Sequence, residues 1–185
     1  MACRRNVELK ARVTDLGEVR RRAVEMGARA AGVQRQRDTY FHVPRGRLKL
    51  REIEGEPAVL IQYSRPDAAG ARRSDYHLVP VAEAELLKAA LGEALEIRNV
   101  VEKRREIFLY QPVERQGGRE GEAPAEPRFA EGAGSAGASP SRSSTRFYRN
   151  VRIHLDEVAG LGSFLEFEAV LEPGQPEQDG HAVLE

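Results

Sequence analysis

Acidic and basic side chains recur at every second position along several stretches of this 185-residue chain. Carboxylates stand at Glu8, Asp156, Glu166 and Glu168, and bases at Lys10, Arg12, Lys49, Arg51, Lys103, Arg105 and Arg152. Hard cations such as Mg2+ or Mn2+ take carboxylate oxygens as ligands, whereas Arg and Lys give charge-assisted hydrogen bonds to phosphate oxygens. Both halves of a metal and polyphosphate site are therefore present. A plainer reading competes, because an antiparallel sheet with one solvated face also alternates charged and apolar residues. On any single strand the two readings carry equal weight. Across the chain, acids and bases segregate, and that favours the site.

Strands must present these charges. Residues 6–13 alternate without a break, with Asn6, Glu8, Lys10 and Arg12 on one face and Val7, Leu9, Ala11 and Val13 on the other. Asp15 is a candidate N-cap for a helix over 16–27, where Leu16, Val19, Ala23 and Met26 recur at helical spacing and Gly27 supplies a stop. A strand is predicted over 34–43, a turn over 44–47, and a second strand over 48–53 that sets Lys49 and Arg51 opposite Leu48 and Leu50. Strands over 58–65 and 72–81 extend this meander, and Leu86, Leu87 and Leu91 mark one side of a helix over 83–91.

A strand over 100–110 puts Val101, Lys103, Arg105 and Ile107 on one face. Another over 149–158 sets Arg152, His154 and Asp156 opposite Val151, Ile153 and Leu155. In the last, over 163–171, Phe164, Glu166 and Glu168 alternate with Leu165, Phe167 and Ala169, and the tail over 173–185 is polar and weakly patterned. Residues 111–147 turn abruptly to Gly, Ala, Ser, Pro, Glu and Arg, which predicts a disordered insertion in a hairpin loop.

If the charged faces point inward, the apolar faces point outward, and the helices over 16–27 and 83–91 must cover them. The expected fold is α+β and mostly β: an antiparallel closed or nearly closed barrel with flanking helices, one domain over 1–185 around a charged tunnel. Aromatics are only 6% of the chain and Trp is absent, so Leu, Val, Ile and Ala must build the core. Lys plus Arg and Asp plus Glu both number 29, which removes a global drive towards nucleic acid or anionic membrane. No apolar run approaches the ~18 residues of a membrane span. The lone Cys3 cannot form an internal disulfide, so a cytoplasmic protein is expected. The residues leave the oligomeric state open, a homodimer included.

Taken in order, these segments resemble a known family. Asn6-Val7-Glu8-Leu9-Lys10 is similar to the Glu-x-Glu-x-Lys signature of CYTH proteins, the triphosphate tunnel metalloenzymes, which include class IV adenylyl cyclases, thiamine triphosphatases and inorganic triphosphatases. The segments that follow are Asp38-Thr39-Tyr40-Phe41, Leu48-Lys49-Leu50-Arg51, Arg65-Pro66-Asp67, Ser74-Asp75-Tyr76, Lys103-Arg104-Arg105, Arg152-Ile153-His154-Leu155-Asp156 and Phe164-Leu165-Glu166-Phe167-Glu168.

The resemblance implies that Glu8, Asp156, Glu166 and Glu168 serve Mg2+ or Mn2+. It implies that Lys10, Lys49, Arg51, Arg65, Lys103, Arg105 and Arg152 hold a triphosphate, with Lys10, Arg51 and Arg105 catalytic. ATP, thiamine triphosphate and tripolyphosphate are the implied substrates, with conversion of ATP to cyclic AMP and pyrophosphate, or hydrolysis, as the implied reactions. Arg65 reads equally as a solvated turn residue beside Pro66, His154 as an interior histidine bonded to a neighbour, and Tyr40 and Phe41 as packing residues. Asn6 stands where the signature has its first Glu, and an amide oxygen is the weaker ligand for a hard cation. With the chain ending at Glu185, this motivates an alternative: a catalytically weak polyphosphate- or nucleotide-binding module.

Overall fold

The computed structural model describes residues 3–111 and 151–184. Its strands are β1 (Arg4–Val13), β2 (Arg29–Phe41), β3 (Arg47–Ile53), β4 (Ala58–Ser64), β5 (Arg72–Val81), β6 (Ile97–Tyr110), β7 (Val151–Val158) and β8 (Gly162–Leu171). They form a closed antiparallel barrel in the order β1-β5-β4-β3-β2-β6-β7-β8. Two meanders, β2 to β5 and β6 to β8, join through the long β2–β6 pairing, and β1 closes the ring between β5 and β8. The β2–β3 turn needs its glycine: Gly46 has φ +65°, and a Cβ there would lie 2.7 Å from the Tyr63 carbonyl oxygen.

The hydrophobic core lies outside the barrel, as a charged lumen demands. On helix α1 (Leu16–Glu25), Leu16 and Ala23 pack on Phe108, Ile153 and Leu155 from the outer faces of β6 and β7. Asp15 caps that helix by accepting a hydrogen bond from the Glu18 amide at 3.0 Å. On helix α2 (Ala84–Leu95), Leu87, Leu91 and Leu95 cover Phe41, Leu50 and Ala58. A third helix, α3 (Glu177–Leu184), lies on β1 and β8, with Gly180 in the hollow between Val7 and Leu171.

The barrel, its strand alternation and the two covering helices match the sequence reading, with β2 and β6 starting earlier and α2 ending later than the pattern implied. Part of the polar tail, where the pattern implied no element, forms α3. Apart from Gln111, the insertion expected over 111–147 lies outside the described residues. Among the described residues, no helix is long and apolar enough to cross a membrane.

Candidate functional site

Strand alternation places one set of side chains from every strand around a central cavity of about 1110 Å³. Register sets which of them meet. Glu8 on β1 stands directly opposite Glu168 on β8, Lys10 opposite Glu166, and on the other side of β8 Glu168 faces Arg152 while Glu166 faces His154. Facing carboxylates repel unless offset, and bases offset them here. Glu8 pairs with Arg65 and lies 3.7 Å from Arg72, Glu168 lies 3.5 Å from Arg152, and Lys10 Nζ lies 3.4 Å from Glu166 Oε2. Asn6 donates from Nδ2 to Glu168 Oε1 at 2.6 Å, which leaves its buried Oδ1 without a hydrogen-bond partner.

Two deeply buried carboxylates anchor the bases on the other strands. Asp38 on β2, 1% exposed, accepts both arms of Arg51 at 2.7 Å, accepts from Lys49 Nζ at 3.0 Å, and lies 3.6 Å from Lys103 Nζ. Asp156 on β7, with no exposed surface, accepts Arg105 through Nε at 2.6 Å and Nη2 at 2.7 Å. Lys103 and Lys10 each lie 3.8 Å from Asp156 Oδ2. The bases are thereby held in fixed directions while their remaining N–H donors stay available.

Burial sets the charge states. It would push the Asp38 carboxyl up, but the Arg51 hydrogen bonds and the charges of Lys49, Arg51 and Lys103 hold it far below the usual range. Burial likewise opposes ionisation of Glu166, and Arg105, His154 and Lys10 outweigh it. For the lysines burial wins: with Arg105 and Arg51 nearby it brings Lys103 down to about 7, and with Arg51 nearby it brings Lys49 down to about 8. Burial also lowers His154, whose Nδ1 lies 3.5 Å from Glu166 and whose Nε2 lies 3.9 Å from Glu168.

The CYTH domain model matches residues 4–180. The chain belongs to the CYTH domain family. Solved structures share the CYTH fold at low identity. A Pyrococcus horikoshii protein superposes with TM-score 0.62 at 20% identity, over 97% of this chain and 85% of its own. A proposed adenylate cyclase from Vibrio parahaemolyticus gives 0.59 at 16%, over 97% and 83%. A proposed adenylyl cyclase of Hippeastrum, described as having a dominant triphosphatase activity, gives 0.50 at 13%, over 97% and 84%. No curated protein matches the sequence.

The residues drawn from CYTH motifs fall into three groups in space. Lys49, Arg51 and Lys103 gather on Asp38; Arg105, Lys103 and Lys10 gather on Asp156; and Glu8, Glu166, Glu168 and Arg152 line the β1, β8 and β7 wall. Arg65 reaches into the cavity and pairs with Glu8, so the turn-residue reading of it is set aside. Among the described residues, no three of His, Cys, Asp and Glu converge closely enough to cage a metal. Asp156 and Glu166 share Arg105, Glu8 pairs with Arg65, and Glu168 lies against Arg152. Phe41 packs in the outer core, but Tyr40 lines the cavity, contrary to its reading as a packing residue. Sequence reasoning also passed over Asp38, Tyr63 and Arg72 as site residues. Counted back from a 44–47 turn, Asp38 would face Ile53; the actual register pairs Phe41 with Leu48 and so sets Asp38 opposite Arg51.

Proposed function

We propose that this CYTH chain is a metal-dependent enzyme acting on a triphosphate compound, by class IV cyclase-type conversion of ATP to cyclic AMP and pyrophosphate or by hydrolysis. One observation carries the reading. Lys10, Lys49, Arg51, Lys103 and Arg105 all border one cavity inside the barrel, held there by Asp38 and Asp156. These five bases outnumber Asp38, Asp156 and Glu166, the carboxylates they pair with, and a polyanion would offset the excess.

Both reactions displace a bridging oxygen at phosphorus. In hydrolysis, oxygen of water bonds to phosphorus as the bridging bond breaks, and the water's proton passes to solvent or to the departing phosphate. In cyclisation, the ribose 3′-hydroxyl oxygen bonds to the α-phosphorus as the α–β bridging bond breaks, pyrophosphate leaves, and the hydroxyl proton passes to solvent or to the departing pyrophosphate. Charge moves onto the leaving oxygens in each case, and fixed cations in a sheltered site stabilise it without reorganising. Lys10, Arg51 and Arg105 fill that role in this reading, and Lys49, Lys103, Arg65 and Arg152 hold the remaining phosphate oxygens.

The donors fit Mg2+ or Mn2+ that arrives with its phosphates. Mg2+ needs only one or two carboxylates when phosphate and water complete its shell. Opposed Glu8 and Glu168 would supply the one or two carboxylates, with the unpartnered Asn6 Oδ1 beside them as a further oxygen. When bound, the cation would neutralise phosphate charge. Asn6 supports the second reading, a binding module with weak turnover, since its amide already holds Glu168 and replaces a carboxylate.

The test incubates purified protein with Mg2+ or Mn2+ and ATP, thiamine triphosphate or tripolyphosphate, and identifies the products. Metal-dependent turnover of at least one is expected. Binding without turnover would establish the module instead, and neither would end both readings.

A further inference from the structure

The lumen is not charged all round. The inward positions of β4 and β5 form three directly opposed pairs, Val59 with Pro80, Ile61 with Leu78 and Tyr63 with Tyr76, and all six line the cavity. This panel abuts the phosphate-facing bases in register, because Arg51 pairs with Val59 and Lys49 with Ile61 across β3 and β4. At the junction, the Tyr63 ring carries Lys49 at 5.6 Å, Arg47 at 5.7 Å and Arg65 at 5.9 Å from its centroid.

The two walls ask for different chemistry. The panel cannot be explained as core: α2 already covers the opposite face of β4 through Ala58 and Leu60, and the inward side chains, other than exposed Pro80, are only half-buried. Half-buried apolar side chains inside a polar cavity gain when an apolar body covers them, and an aromatic or heterocyclic body also stacks on tyrosine. Tripolyphosphate has no such body. It would fill the basic wall and leave the panel facing water.

We infer that the substrate is an organic triphosphate, whose phosphates lie on the bases and whose heterocyclic group rests on the β4–β5 panel, in preference to inorganic tripolyphosphate. This rests on the triphosphate reading above. Specificity then resides in Ile61 and Leu78 at the centre of the panel, with Tyr63 marking where the phosphate chain ends and the organic group begins.

Calorimetry at fixed Mg2+ compares ATP, thiamine triphosphate and tripolyphosphate, alongside turnover. At least one organic triphosphate should bind ~10-fold or more tightly than tripolyphosphate, the discrimination that one apolar contact surface supports. The better of the two identifies a nucleoside or a thiamine-like group. Leu78→Thr, alone and with Ile61→Thr, keeps strand propensity while removing apolar surface. Each should shift the ratio of organic to inorganic Kd by about tenfold towards tripolyphosphate.

Tripolyphosphate bound as well as either organic compound by the parent protein would overturn the inference and leave the triphosphate reading standing, as would an unchanged ratio in folded variants. If no triphosphate bound at all, the triphosphate reading itself would fall, and this inference with it. The parent comparison decides the matter even where a variant does not fold.

Discussion

Without the Asp38 carboxylate, Arg51 and Lys49 would lose the acid that holds them, and Lys103 would keep only Asp156 at 3.8 Å to offset their mutual repulsion. Breaking such a buried pair costs about 3–5 kcal/mol, so Asp38→Ala should lower the denaturant midpoint by a corresponding amount. A change under ~1 kcal/mol would show that these bases do not depend on it. The same crowding gives ligand binding a pH dependence. Lys103 and Lys49, brought down to about 7 and about 8, lose protons as pH rises through those values, and a polyanion in the cavity favours their charged forms. Triphosphate affinity should therefore fall from about pH 6 to about pH 9, with proton uptake on binding at the alkaline end. Affinity flat across that window would remove the lysines from the site. The bases and wall carboxylates were legible in the sequence because strand alternation exposes them as a set. Asp38 was not, since a lone acid among Gln34, Gln36 and Tyr40 looks like surface until its pairing with Arg51 is known.

Helices act on the site by holding the barrel wall from outside. Arg20 of α1 donates through Nε and Nη2 to Glu106 of β6, both at 2.8 Å, and Arg104 donates to the same carboxylate at 2.6 Å. These hydrogen bonds hold the Glu106 carboxyl down to about 2 against an ordinary 4.5. A carboxyl depressed on folding contributes stability that is complete above the unfolded value and disappears as pH falls through the folded one. The contribution of Glu106 should thus fade between 4.5 and about 2. Glu106→Gln should cost about 1 kcal/mol near neutrality, the modest value reflecting a partly exposed Arg20. It should also flatten acid unfolding across that interval, and unaltered acid unfolding would show that the contact does not pin α1. The first two helices were legible from apolar spacing. The third was not, because Gly180 weakens a helix by about 1 kcal/mol relative to Ala and blurs an already polar pattern. Its reason is tertiary: a Cβ on Gly180 would come within 2.6 Å of Val7 Cγ2, so α3 docks only with glycine there.

At the scale of the molecule, formal neutrality concealed a strong internal segregation of charge, because net charge reports on the sum and the barrel sorts its terms. Closure was legible, since no other arrangement hides so many inward charges while the apolar faces find helices to cover them. It also separates what the barrel needs from what the chain carries. Tyr110 of β6 and Val151 of β7 are already directly paired, so their hairpin has its ends in place for a short turn. Replacing residues 112–150 with a Gly-containing turn of about four residues should therefore leave every barrel pairing intact. Shortening the loop lowers closure entropy, so unfolding free energy should rise by on the order of 1–2 kcal/mol. Triphosphate affinity should persist, because the bases and their two buried counter-ions all lie on strands outside the replaced segment. A variant that stayed folded but lost triphosphate affinity would assign part of the binding site to residues 112–150, and one that failed to fold would show that the hairpin requires them to close.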